Sequence, residues 1–177
     1  MQFNIAQLLK ESTGARRHYA VEGETPSDDA ADGAAPVRGN IDVLRTDRGV
    51  LVGGDFTMRL AATCSRCLEP VEMTVGWHME EEFFAIVDIN SGAARPAPED
   101  ESAFTLSANH ELDLTEAVRQ YAALAVPLKP LCRDDCAGLC PVCGQSRNSG
   151  ACTCPPAVAD PRWAKLATLG AERQRSN

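Results

Sequence analysis

The chain has 177 residues, 44% of them hydrophobic, and a formal net charge of −8. It is long enough for one main domain with a small satellite, and too acidic to attach indiscriminately to nucleic acid, which depends on clustered Lys and Arg. No run of about 18 apolar residues appears, and the opening MQFNIAQLLKESTGARRHYA has neither a long apolar segment nor a small-residue cleavage site, so the expectation is a cytoplasmic protein whose thiols stay reduced.

Taken in chain order, residues 4–10 predict a short helix leading to a strand over GARRHYAV. The Gly, Pro and acid content of 22–36 then predicts a flexible acidic loop. VRGNIDVLRT, the turn DRG and VLVGGDFTMRLAATC follow as strands. In the last of these Phe56, Met58, Leu60, Ala62 and Cys64 alternate with Asp55, Thr57, Arg59, Ala61 and Thr63, the period-two pattern of a strand with one buried face. Val71, Met73, Val75, Trp77 and Met79 repeat the alternation after SRCLEP, which predicts an antiparallel hairpin. A second acidic, Pro-rich stretch over 86–103 reads as a long mobile loop. Asp113 and Glu116 suit a helix start, Leu114, Ala117, Val118, Tyr121 and Ala125 recur at helical spacing, and Pro127 ends the run because it disfavours helical geometry at Val126. A last short helix is expected over DPRWAKLATLG, with Asp160 as cap and Trp163 and Leu166 buried. The fold class is therefore α+β: an antiparallel β-sheet or partly closed barrel with a packed helix over 1–130, then a cysteine-rich tail over 131–177.

The eight cysteines carry the chemistry. Cys140-x-x-Cys143 followed by Gly144 has the spacing of a zinc knuckle, in which two thiolates on one tight turn meet a single ion and the glycine takes the positive φ. Zn²⁺ needs four ligands, and Cys152 and Cys154 follow after GQSRNSGA. Cys140, Cys143, Cys152 and Cys154 are the preferred quartet, although Cys132 and Cys136 lie close enough to compete. The remaining four, Cys64, Cys67, Cys132 and Cys136, make a second set if the turn CSRC meets the start of the tail. A disulfide knot does not suit a reduced compartment, and a redox C-x-x-C belongs at a helix start in a βαβ unit rather than in a β-hairpin.

Other catalytic machinery is not visible. His18, His78 and His110 have no local nucleophile partner, the acids at 80–82 and 99–101 are runs rather than isolated carboxylates in an apolar setting, and no P-loop or G-x-G-x-x-G occurs. Charge is unevenly placed: residues 1–126 hold 10 Lys/Arg against 21 Asp/Glu, and residues 127–177 hold 7 against 4. Lys129, Arg133 and Arg147, with Arg162 and Lys165, thus form a locally basic surface suited to RNA or an acidic protein.

NIAQLLKESTGARRHY, LAATCSRCLEPVEMTV and the long stretch from LDLTEAVRQYAALAVPLKP through the cysteines to DPRWAKLATL together resemble the large ribosomal RNA subunit accumulation proteins, the YceD-like family of bacteria and plastids. The resemblance implies a non-enzymatic factor that supports accumulation of large-subunit (23S) ribosomal RNA, by binding precursor RNA or a ribosomal protein, with no membrane and no small-molecule substrate. It places the family's C-x-R-C motif on Cys64, Arg66 and Cys67 and its cysteine tail on the six positions from Cys132 to Cys154. Held between two cysteines, the Arg66 guanidinium suits phosphate or carboxylate. The alternative from another class is a thiol- or zinc-handling protein that delivers metal or cycles a C-x-x-C disulfide.

Overall fold

The structure is a computed structural model and describes residues 1–25, 35–96, 98–150, 152–155 and 162. Two compact units are built from interleaved segments: Met1–Thr63 with Pro70–Pro130, and Cys64–Glu69 with Leu131–Asn177.

In the first unit the elements run β1 (Gln2–Asn4), α1 (Ala6–Lys10), β2 (Arg16–Thr25), β3 (Ala35–Arg45), β4 (Gly49–Thr63), β5 (Pro70–Phe84), β6 (Glu111–Asp113) and α2 (Thr115–Ala125). Strands β2-β3-β4-β5 pair antiparallel in that order, and β1 pairs with β6 in a separate two-stranded ladder with Phe3 opposite Leu112. Of the two expected architectures, the open sheet is the one observed. β2 and β5 end the order and do not pair with each other, and α2 packs against both of them.

Alternation builds the core. On β4 and β5, Phe56 faces Trp77 and Met58 faces Val75, and the two rings stack with centroids 5.7 Å apart. Val21, Ile41, Val43, Val50, Val52, Phe56, Met79 and Phe83 are all buried, together with Leu114, Ala117, Val118 and Ala122 from the helix side. Each such large side chain contributes on the order of 1.5–3 kcal/mol on leaving water. Helix α2 ends at Val126, whose extended backbone (φ −65°, ψ 124°) is the conformation Pro127 requires.

Four details depart from expectation. Asn4 ends β1 instead of opening a helix. The acidic stretch read as a loop from residue 22 remains in β2 through Thr25, and Ala35 and Pro36 already belong to β3; Glu22 and Glu24 sit opposite Arg38 and Pro36, and Glu22 is exposed, as charge on a half-buried strand can be. Glu116 binds Arg119 and Gln120 rather than closing back on the helix start, which Asp113 supports by accepting from the Thr115 amide at 2.9 Å. The second acidic stretch is a series of hydrogen-bonded turns. Asp88 accepts from the amides of Asn90 and Ser91 and pairs with Arg95 at 3.2 Å, and the Ser91 amide foremost holds its carboxyl down at about 2. The helix expected over 160–170, with Trp163 and Leu166, and the centre of the first acidic loop lie outside the described residues. Among the described residues no helix is long and apolar enough to cross a membrane.

Candidate metal centres

All eight cysteines fall in the second unit, and the structure gathers them into two sets of four: Cys64, Cys67, Cys132 and Cys136, and Cys140, Cys143, Cys152 and Cys154. Within each set the sulfurs lie within 4.8 Å of one another. Cys64 and Cys136 Sγ are 3.8 Å apart, and Cys67 and Cys132 Sγ are 3.6 Å apart. A disulfide needs about 2.05 Å, whereas four sulfurs at roughly 2.3 Å from a common ion lie about 3.8 Å from each other. The cysteines are free thiols, and their spacing fits a tetrahedral ion. Either set can hold one.

The first pair of ligands in each set comes from the same small turn. In Cys64-Ser-Arg-Cys67-Leu68 the Leu68 amide donates to the Cys64 carbonyl at 2.9 Å and the Cys64 amide to the Glu69 carbonyl at 2.9 Å. In Cys140-Pro-Val-Cys143-Gly144 the Gly144 amide donates to the Cys140 carbonyl at 2.9 Å and the Cys140 amide to the Gln145 carbonyl at 2.8 Å. This turn points the two thiols of a C-x-x-C pair to one side and demands a positive φ after the second cysteine. Gly144 meets it at 74°, and Leu68 meets it at 61°.

The two sets differ in cover. Cys64, Cys67 and Cys136 are 0%, 4% and 3% exposed and pack with Leu131 and Leu139, whereas Cys143 is exposed and Cys152 and Cys154 are half-buried. Each set pairs a cysteine whose surroundings favour the thiolate with one whose surroundings favour the thiol. Backbone amides, that of Cys67 first, bring Cys64 down to about 6, and the Cys143 and Val142 amides do the same for Cys140. Burial and thiol neighbours push Cys132 up to about 12, and the bond to Cys143 with burial pushes Cys154 up to about 12. A bound divalent ion must displace those protons, so its affinity falls with pH.

Comparison with known proteins gives the family of the chain. Residues 52–170 match the family described as Large ribosomal RNA subunit accumulation protein YceD. The chain belongs to the YceD family. An uncharacterised protein of Mycobacterium tuberculosis is 34% identical over 140 residues, covering 79% of this chain and 65% of the relative. One from Mycobacterium leprae is 29% identical over 137 residues, covering 76% and 59%. The chloroplastic Large ribosomal RNA subunit accumulation protein YCED homolog 1 of Zea mays is 26% identical over 179 residues, covering 88% and 61%. This YceD-family chain therefore spans about two thirds, or less, of the length of these relatives. No solved structure matches it.

The basic residues singled out in the sequence have different surroundings. Arg66 is exposed, but its Nη1 donates to the carbonyls of Cys136 at 2.9 Å and Asp134 at 3.3 Å, so this guanidinium braces the first quartet as well as facing solvent. Arg133 pairs with Asp135 at 3.2 Å and donates to Asn148. Arg147 and Arg162 are exposed, Lys129 is exposed but belongs to the first unit, and Lys165 lies outside the described residues. In the first unit a groove of about 950 Å³ is lined by Asp47, Glu81, Glu82, Glu99 and Asp100 together with Phe84 and Phe104. Its two arginines are already matched, Arg48 by Glu82 at 3.3 Å and Arg95 by Asp88 at 3.2 Å. The residue that sequence reasoning missed is Asn148, which touches Cys136. Its only signal is an amide side chain in a Gly/Ser-rich excursion between cysteines.

Proposed function

We propose that this YceD-family protein is a non-enzymatic ribosome-assembly factor of the cytoplasm that supports accumulation of large-subunit (23S) ribosomal RNA by binding precursor RNA or a ribosomal protein. The family match over residues 52–170 carries the proposal, with the printed name of the maize relative beside it. In this reading Zn²⁺ is structural. Closed four-thiolate sets are the mark of structural zinc, since catalytic zinc keeps one position open, and an ion supplies folding energy to a unit whose described buried side chains are mainly cysteines. For the direct partner, the acidic groove of the first unit favours a basic protein segment, whereas exposed Arg147 and Arg162 suit RNA phosphate. Depletion from the host cell is expected to lower large-subunit RNA relative to small-subunit RNA, and the protein is expected to sediment with precursor particles. Free migration at every salt concentration would count against the proposal. The metal part is tested by counting ions: two per chain in the intact protein, falling to one in Cys64→Ser/Cys67→Ser.

A second reading, a protein that delivers zinc or cycles a disulfide, is favoured by one observation, the exposed thiol of Cys143. Rapid exchange of both ions with a free chelator, or reversible oxidation of Cys64 with Cys67, supports it; an ion that exchanges slowly from either quartet, with no such oxidation, rules it out.

A further inference from the structure

Asn148 lies on the loop that runs from Cys143 to Cys152 within the second quartet, yet its side chain is directed at the first. Its Nδ2 donates to Cys136 Sγ at 3.3 Å, while its Oδ1 accepts from the Ala137 amide at 2.8 Å and from Arg133 Nη2 at 3.1 Å. This orientation of the amide is the only consistent one, because the reversed one would set an NH₂ group against two other donors. Main-chain bonds keep the loop beside the segment that joins the quartets: the Arg147 amide donates to the Gly138 carbonyl at 2.8 Å, and Leu139 bridges Ser146. Only Ala137, Gly138 and Leu139 separate the last ligand of one quartet from the first of the other.

We infer that Asn148 is a positioning residue that couples the two centres. An ion in the second quartet fixes the loop at both ends, through Cys143 and Cys152, and so holds the Asn148 amide on the Cys136 sulfur, where it slows loss of the ion from the first quartet. The inference rests on the reading that both quartets hold an ion. An N–H donor on a thiolate fixes the orientation of the sulfur and spreads its charge, and contacts of this kind alter metal affinity by about 10- to 100-fold.

The test follows zinc release from the loaded, full-length chain into a chromogenic chelator. The wild-type chain is expected to release two equivalents, one quickly from the exposed quartet and one slowly from the buried quartet. Asn148→Ala is expected to speed the slow phase by about tenfold or more and to leave the fast phase and the amount of metal unchanged. Asn148→Asp keeps an acceptor for Ala137 and Arg133 but has no N–H for sulfur, so it should match alanine. In Cys152→Ser/Cys154→Ser the single remaining ion should already leave faster, with little added by Asn148→Ala. In the cobalt-substituted chain the thiolate-to-cobalt absorption should shift in Asn148→Ala. An unchanged slow phase, equal acceleration of both phases, a wild-type slow phase in Asn148→Asp, an unshifted cobalt band, or multiplying effects in the combined variant would each overturn the coupling while leaving the two-ion reading intact. Fewer than two equivalents from the wild-type chain overturns that reading and the coupling with it.

Discussion

Leu68 and Gly144 occupy the same place in two copies of one turn, and only one of them is suited to it. A left-handed backbone costs a non-glycine residue roughly 1–2 kcal/mol, and the Leu68 side chain recovers little by packing because it is 64% exposed. Leu68→Gly is therefore expected to raise the stability of its turn by about 1 kcal/mol, and Gly144→Ala to lower that of the other by a similar amount, both read as shifts in the denaturant midpoint of the metal-loaded chain. A Leu68→Gly variant less stable than the parent would show that the leucine has a packing role. At this scale the sequence was half legible. Gly144 advertises its conformation because glycine follows the second cysteine; Leu68 hides the same conformation behind an ordinary side chain. Asn148 was equally hidden, since nothing in RNSG says that an amide turns back to a sulfur twelve residues earlier.

At the scale of elements, β4 and β5 were readable because each buries one face, which writes the strand period into the residues. β1 and β6 were not, because three residues carry no period and their partners stand more than a hundred positions apart. Phe56 sits at the centre of the readable part, 1% exposed and stacked on Trp77, so Phe56→Ala is expected to cost about 3–5 kcal/mol in a urea titration. Helix α2 gives a pH-dependent prediction. Partial burial pushes the Asp113 carboxyl up, but bonds from Thr115 and Gln2 outweigh it and hold it down at about 2. A carboxylate depressed in the folded state adds stability above its unfolded pKa of roughly 3.9, and this is lost as pH falls toward 2. Asp113→Asn should accordingly lie below the parent near neutrality, by about 0.2–1 kcal/mol as for an exposed charge interaction, and the two thermal midpoints should converge between about pH 4 and 2. Parallel curves over that window would assign the acid sensitivity elsewhere.

For the whole molecule, the two units owe their order to different forces. The first has a continuous apolar core, whereas among the described residues the second buries mainly cysteines beside two leucines. Stripping the metal should then melt the second unit alone. In hydrogen exchange the amides of Leu68 and Gly144 are expected to lose protection on addition of a chelator, while those of Val43 and Val52 keep theirs. Loss of protection in both units at once would show that the first does not fold independently. The sequence marked a cysteine tail and offered the turn CSRC as a partner for Cys132 and Cys136, but could not decide it, because that membership depends on a closure over 65 to 72 positions.

That closure makes an ion in the first quartet a reversible cross-link. It would join Cys67 to Cys132 across 65 positions, and a covalent tie closing a loop of that length removes about 4 kcal/mol of chain entropy from the unfolded state. It also sets an order in synthesis. Cys64 and Cys67 leave the ribosome long before Cys132 and Cys136 exist, so the tip of the β4–β5 hairpin waits half-liganded until the tail emerges. A chain truncated before Cys132 retains the residues of every described strand and still has no means of making that tie.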